Sequence, residues 1–322
     1  MEIKTPPERI YFLLLPGTHL MDLAGPAQVF GSELITPAAK LEFIGISETV
    51  SSAQGIQLAE IQSLPEQPVQ DSWLIVVGSD RAEQNLRSAG WLKLEAWLSS
   101  RSDCFSRIVG ICSGALVMAA AGLLDQRSST THHQLLGKLQ DLAPLARVEQ
   151  NCVFVDDGNI CTSAGISAGI DLSLHLLSEH WGAVTAAKVA RDLVIYQRRS
   201  GAEPQLGFWQ DHRNHMLSQV HQAQDLVMLS PERHWTVESL ANAVHLSSRH
   251  LTRLFISATG MGAKEYLQRA SLAIAQRLLK TEGLSLEDVA SQSGLGSERS
   301  LRRVWRQYRS DTPAAYRRHT GR

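Results

Sequence analysis

Three residues in this chain have the type and setting to do chemistry: Cys112, Asp22 and His132. Cys112 lies in Ile108 to Leu124, IVGICSGALVMAAAGLL, which reads as a short apolar strand, a sharp turn and an alanine-rich helix. Gly110 and Gly114 stand two residues before and after the cysteine. An elbow of this kind holds its central side chain at the mouth of a sheet and against a helix N-terminus. Unpaired backbone N–H groups and the helix dipole favour negative charge there, so the expectation is a stabilised thiolate. The plain alternative is a small buried cysteine filling a tight turn. Asp22 falls in the opening turn of a helically spaced segment, and His132 stands in Thr131-His132-His133 where another helix opens. Either could equally serve as a cap.

The surrounding elements decide whether these residues meet. Ile10 to Leu15 is an apolar run stopping at Pro16-Gly17, followed by Leu20, Leu23, Ala27 and Phe30 at helical spacing. Leu41 to Ile46 and Trp73 to Val77 read as further strands, the latter ending at Gly78-Ser79, and 85 to 99 is amphipathic. Val153 to Thr162 reads as a strand pair turning at Asp157-Gly158, followed by helices over Ile166 to His180 and Ala183 to Arg199. Strands alternating with helices predict an α/β fold, a doubly wound and mostly parallel sheet, whose ligands bind at the C-terminal strand ends. Asp22, Gly78-Ser79 and Cys112 all follow apolar strands, so the fold should gather them at one edge; Asp22, Gly78 and Cys112, with Ser113 beside the cysteine, are the expected ligand site. With a thiolate, backbone donors and Ser163 or Thr131 nearby, it would suit a carboxylate or amide. Trp73, Trp91 and Trp181 are either a face for a cation or core.

At 322 residues and 43% apolar content the chain is expected to form two packed domains. No basic leader precedes an apolar stretch and no apolar run approaches ~18 residues, so a cytoplasmic protein with no membrane partner is expected. Cys104, Cys112, Cys152 and Cys161 show no CxxC spacing, and no HExxH occurs, so neither metal nor cofactor is expected. Charge is uneven: residues 1–225 hold 16 Lys+Arg and 24 Asp+Glu, and residues 226–322 hold 15 and 8. A basic final third on an acidic body points to a polyanion.

That final third is a tandem repeat. Thr236-Val-Glu-Ser-Leu-Ala aligns with Ser285-Leu-Glu-Asp-Val-Ala, then Leu251, Leu254 and Phe255 with Leu301, Val304 and Trp305, and Tyr266 with Tyr316. Each copy is a capped helix, a turn and a second helix with an apolar stripe, the helix-turn-helix pattern. Arg299, Arg302, Arg303 and Arg306 lie opposite the second stripe, and Arg249 and Arg253 opposite the first. The second helix of such a unit enters the major groove of double-stranded DNA. A long helix over Lys264 to Lys280 would space the two contacts by about one helical turn of DNA, ~34 Å. Residues 200–215 lose periodicity and read as the linker between a first domain, 1–199, and an all-α second domain, 216–322.

Residues 236–318 resemble the AraC/XylS-family DNA-binding domain through LSSRHLTRLF, ATGMGAKEYL, AQRLLK, DVASQSGLGSERSLRRVW and TPAAYRR. The resemblance implies base-edge contacts for Arg249, Thr252, Arg253, Glu298, Arg299 and Arg303, with Arg302 on the same face. Ser271, Leu295 and Ser310 replace the usual arginine, phenylalanine and glycine. Residues 10–200 resemble a class I glutamine amidotransferase-like domain of the intracellular-protease branch through LLLPGTHLMDLAGPAQVF, VVGSD, VGICSGALVMAAAGLLDQR, TTHH and CTSAGISAGIDLSLHLL. Ser113 replaces the histidine that follows the nucleophile in the proteases, and the HxE of amidotransferases is absent. Asp22 matches the acid of isocyanide-hydratase-like relatives, and His132 the histidine of a TTHW pattern, which adds His132 to the expected ligand site. The fusion implies a homodimeric regulator that activates a catabolic operon with RNA polymerase when a small nitrogenous effector, an amino acid or quaternary amine, fills the first domain. The alternatives are an isocyanide-hydratase or amidase using Cys112 with Asp22, and a dimerisation module that binds no small molecule.

Overall fold

The computed structural model describes residues 4–195, 199–201, 205, 208, 212–279 and 283–320. It divides into two compact units between Gln205 and Leu206. The first begins with β1 (Arg9–Leu14), α1 (Leu20–Phe30), β2 (Lys40–Gly45), β3 (Val50–Ser51), β4 (Gln57–Leu58), β5 (Gln62–Ser63) and β6 (Ser72–Val76). It continues through α2 (Ala82–Leu86), α3 (Trp91–Arg101), β7 (Phe105–Ile111), α4 (Gly114–Ala120), β8 (Ser128–Ser129), α5 (Leu136–Leu142) and β9 (Arg147–Val148). β10 (Phe154–Asp157), β11 (Ile160–Ser163), α6 (Ser167–Trp181) and α7 (Ala183–Asp192) complete it.

Seven strands form one sheet in the order β10-β11-β7-β6-β1-β2-β5, parallel except for the β10–β11 pair. The strands are apolar throughout because both faces are covered, and alternate residues serve different cores. Ile10, Phe12, Trp73 and Ile75 join one core with Leu172 and Leu176 of α6. Tyr11, Leu13, Leu74 and Val76 join the other with Leu94 of α3 and Leu116 of α4.

Two expectations change. The amphipathic stretch 85 to 99 is two helices meeting near Gly90, where an added Cβ would lie 2.4 Å from Ile46 Cδ1. The helix expected to reach Arg199 ends at Asp192, and Val194 turns the chain with φ of 55°. Residues 196–198 lie outside the described residues, as do 202–204, 206–207 and 209–211 of the expected linker.

The second unit is helical. Helices Val237–Ala243 and Ser248–Thr259 form the first helix-turn-helix, and Leu286–Gln292 and Glu298–Tyr308 the second. Capping boxes at Thr236/Ser239 and Ser285/Asp288 start the leading helices. Ser247 and Ser297 cap the second helices. Each repeat has its own core: Leu240, Leu251 and Phe255 in one, Val289, Leu301 and Trp305 in the other. The helix between them, Ala263–Leu278, gives Tyr266 and Ala270 to the first core and Leu272 and Ala275 to the second. The repeat extends to the aromatic pairs, Tyr266 on Phe255 at 4.8 Å and Tyr316 on Trp305 at 5.3 Å.

Candidate functional site

β7 lies between β6 and β11, so its C-terminal end delivers Cys112 beside the loop that follows β6. Cys112 takes φ of 55°, a strained conformation for a side-chain-bearing residue. The elbow fits because Gly114 has no Cβ; one there would lie 2.1 Å from the Val76 carbonyl oxygen. Asp22, fully buried in the first turn of α1, accepts the Ile166 N–H at 2.5 Å through Oδ1. Its carboxylate lies beside the Cys112 side chain, and its Oδ2 is buried without a hydrogen-bond partner. Gly78 lets them meet: its Cβ would stand 2.3 Å from Asp22 Oδ2 and 2.9 Å from Cys112 Cβ. Asp22, Gly78 and Cys112 are thus brought together at one strand-end edge.

The expected thiolate is corrected. Burial, then the charge of Asp22, push the Cys112 thiol up to about 12, outweighing the Ser113 backbone N–H that pulls it down. Desolvation thus outweighs the favourable N-terminus of α4. Burial likewise raises the Asp22 carboxyl, against the Ile166 hydrogen bond and nearby His19. Asp22→Asn removes a negative charge from beside the sulfur, so it should lower the Cys112 pKa and speed alkylation of that thiol at pH 8 by about tenfold or more. Peptide mass spectrometry after iodoacetamide labelling reads this, and an unchanged rate would show that Asp22 does not hold the thiol neutral.

The other expected site residues are placed differently. Ser113 Oγ donates to the Ser79 carbonyl and accepts the Ser79 N–H, both at 2.7 Å, which locks the loop after β6. Thr131 donates its hydroxyl to the Cys112 carbonyl at 2.7 Å, whereas the buried Ser163 Oγ is unpartnered. His132 acts as a cap, its Nδ1 accepting the Gln134 N–H at 3.4 Å. Burial, then His133 and His19, lower its pKa. No hydrogen bond joins His132 to Cys112 among the described residues. Trp73 and Trp181 are core residues, packed edge-on at 5.8 Å, and Trp91 packs against the opposite core.

A second cluster escaped the sequence. Arg107, 5% exposed, pairs Asp156 and Glu179 at 2.7 Å each, with His175 Nε2 3.0 Å from Asp156. The donors of Asp156, His175 and Glu179 lie within 4.8 Å of one another, as a metal site would require. Arg107 pairs with both carboxylates and Lys4 Nζ adds a second cation 2.9 Å from Glu179, so the group is already charge-paired as a structural ion network. The four-residue spacing of His175 and Glu179 was its only visible sign.

In the second unit Arg249, Arg253, Arg299, Arg302, Arg303 and Arg306 are exposed, while Thr252 and Glu298 are half-buried. Arg302 is paired with Glu298 one turn earlier, and Thr252 donates to the Ser248 carbonyl at 2.8 Å. Among the described residues no ion pair holds Arg249, Arg253, Arg299 or Arg303. Together with Arg306, which likewise has no ion pair among the described residues, these guanidinium groups on the two second helices form a surface suited to phosphates and base edges. No helix among the described residues is long and apolar enough to cross a membrane.

Residues 8–179 match the model of the DJ-1/PfpI family, and residues 240–319 that of a helix-turn-helix domain. The chain is 28% identical to the HTH-type transcriptional regulator GlxA of Rhizobium meliloti (strain 1021), over 98% of this chain and 97% of that protein. It is 32% identical to the isonitrile hydratase of Pseudomonas putida, over 58% of this chain and 77% of that enzyme. A solved THiJ/PfpI family protein from Pseudomonas syringae superposes with a TM-score of 0.55 at 25% identity, covering 70% of this chain and 88% of that one. The chain therefore belongs to the DJ-1/PfpI family and, through its C-terminal helix-turn-helix pair, to the AraC-type DNA-binding transcriptional regulators.

Proposed function

We propose that residues 1–199 form a sensor for a small nitrogenous metabolite, an amino acid or quaternary amine, and that its occupancy governs DNA binding by residues 216–322. The observation that carries the reading is the Asp22–Cys112 pair. A nucleophile needs an activating base, yet Cys112 is a neutral thiol beside a buried carboxylate, and His132 caps its own turn. The unpartnered Asp22 Oδ2 favours an N–H donor or cation in the ligand over the carboxylate that the backbone donors and hydroxyls suggested. Gly78 and the Ser113 backbone N–H complete the site, with His132 at its border. The regulator works as a homodimer that presents four second helices to promoter DNA and activates a catabolic operon with RNA polymerase. The effector acts by binding one arrangement of the chain more tightly than another.

Thermal unfolding against a panel of amino acids and methylated amines tests the sensor. A true effector at 100 times its Kd should stabilise the folded chain by about 2.7 kcal/mol, and Asp22→Ala should abolish that stabilisation. Genome-wide mapping of occupied sites should give sharp peaks beside a catabolic operon. The resemblance to an isonitrile hydratase supports a second reading, catalysis by Cys112 with Asp22. Cys112-dependent turnover of isocyanides, amides or aldehydes, with no amine binding, would replace the sensor by that enzyme.

A further inference from the structure

Two side chains beyond α7 make contacts that the Asp22–Cys112 pair does not itself require. Arg199 donates its backbone N–H to Asp171 Oδ1 and its Nε to Asp171 Oδ2, both at 2.8 Å, and its Nη2 to Ser167 Oγ at 2.8 Å. Ser167 opens α6 directly after Ile166, the residue whose N–H Asp22 holds. Ile166 is itself strained, with φ of 50° on a β-branched residue. On the other side Gln205, 8% exposed, donates its Nε2 to the Thr131 carbonyl at 2.8 Å. The Thr131 hydroxyl in turn donates to the Cys112 carbonyl. Gln205 Oε1 is buried without a partner, a cost that the contact to Thr131 must offset. Between these anchors the Gly201 carbonyl accepts the Val153 N–H at 2.9 Å. The chain that leaves the first unit is therefore one short relay from Asp22 through Ile166, Ser167 and Arg199, and another from Cys112 through Thr131 and Gln205.

We propose that Arg199 and Gln205 are positioning residues that latch the outgoing chain to the Asp22 and the Cys112 halves of the site through separate hydrogen bonds, so that filling the site changes the latch and is felt at the DNA-binding unit. The latch rests on the sensor reading, but it is testable without knowing the effector, because coupling between two places in a molecule is reciprocal. Amide hydrogen exchange on the full chain supplies the readout. Asp22→Ala, which removes the Ile166 acceptor, should speed exchange at the Arg199 and Val153 amides by about tenfold or more. Arg199→Gln with Gln205→Ala should speed exchange comparably at Ile166 and Cys112, and Arg199→Lys should restore part of the protection. Thr131→Val, nearly isosteric, removes the Cys112 contact alone and should loosen Val153 without global change. The β1 amides serve as the internal control for unfolding. A duplex from an occupied promoter should shift Ile166 exchange severalfold in the unmodified chain and leave it unshifted in the Arg199→Gln/Gln205→Ala protein. Changes confined to each substituted residue's own hydrogen bonds, or a duplex effect that survives the double substitution, would overturn the latch. That outcome leaves the sensor standing, whereas a silent effector panel removes the sensor and not the exchange result.

Discussion

Arg107→Ala should destabilise the first unit by about 2–3 kcal/mol, because it removes the buried cation shared by two half-buried carboxylates and leaves Asp156 only His175 and Glu179 only Lys4 and His175. Arg107 contacts Asp156 and Glu179 at once, and those two groups have side-chain exposures of 19% and 14%. Burial alone would raise the Asp156 pKa, but His175, Arg107 and Cys161 outweigh it and hold it at about 2. A carboxyl held below its unfolded pKa contributes stability that is complete above about pH 4 and lost as pH falls through about 2. Urea unfolding of the two proteins should therefore differ most near pH 7 and converge toward pH 2. Adding Asp156→Asn and Glu179→Gln should recover part of the loss, since the penalty lies in unpaired charge. A cost below about 1 kcal/mol at pH 7 would mean that water already solvates the network.

The other large effect falls on DNA. Arg299→Ala with Arg303→Ala should weaken binding to an occupied promoter by about 2–6 kcal/mol, at about 1–3 kcal/mol for each base contact. Both side chains are exposed and lie away from Leu301, Val304 and Trp305, so the unit should fold unchanged. Titrations by fluorescence anisotropy at several salt concentrations separate the two kinds of contact. A loss restricted to the promoter duplex marks base reading, whereas an equal loss on random duplex with a shallower salt slope marks phosphate contact.

The scaffold was legible because it rests on local rules. Phe12 and Leu13 belong to opposite cores through a period of two, and Thr236 and Ser285 announce their helices by cap chemistry. The tandem repeat was legible down to the paired tyrosines, Tyr266 and Tyr316, since duplicated packing leaves duplicated residues. The charge state of Cys112 was not, because an elbow and a helix start say nothing of how deeply the sulfur is buried, and burial with the charge of Asp22 outweighs the backbone N–H there. Ser113 and Thr131 look like ligand groups until their partners, Ser79 and the Cys112 carbonyl, are seen. Arg107 and Gln205 were invisible for the same reason: their roles come from residues far away in the chain. Helix ends set by a turn such as Val194, with no glycine or proline to mark it, also leave no local signal.

Ala263–Leu278 gives the second unit a built-in ruler. Its two ends are sealed into different cores, so the length of this rod fixes how far apart, and at what angle, the chain can address two stretches of a promoter. One residue inserted in its middle would turn the far reading head by about 100° and move it by ~1.5 Å. Operator spacing is then a property of the protein's own axial geometry, and a promoter with one extra base pair between its boxes meets a protein that cannot stretch to follow it.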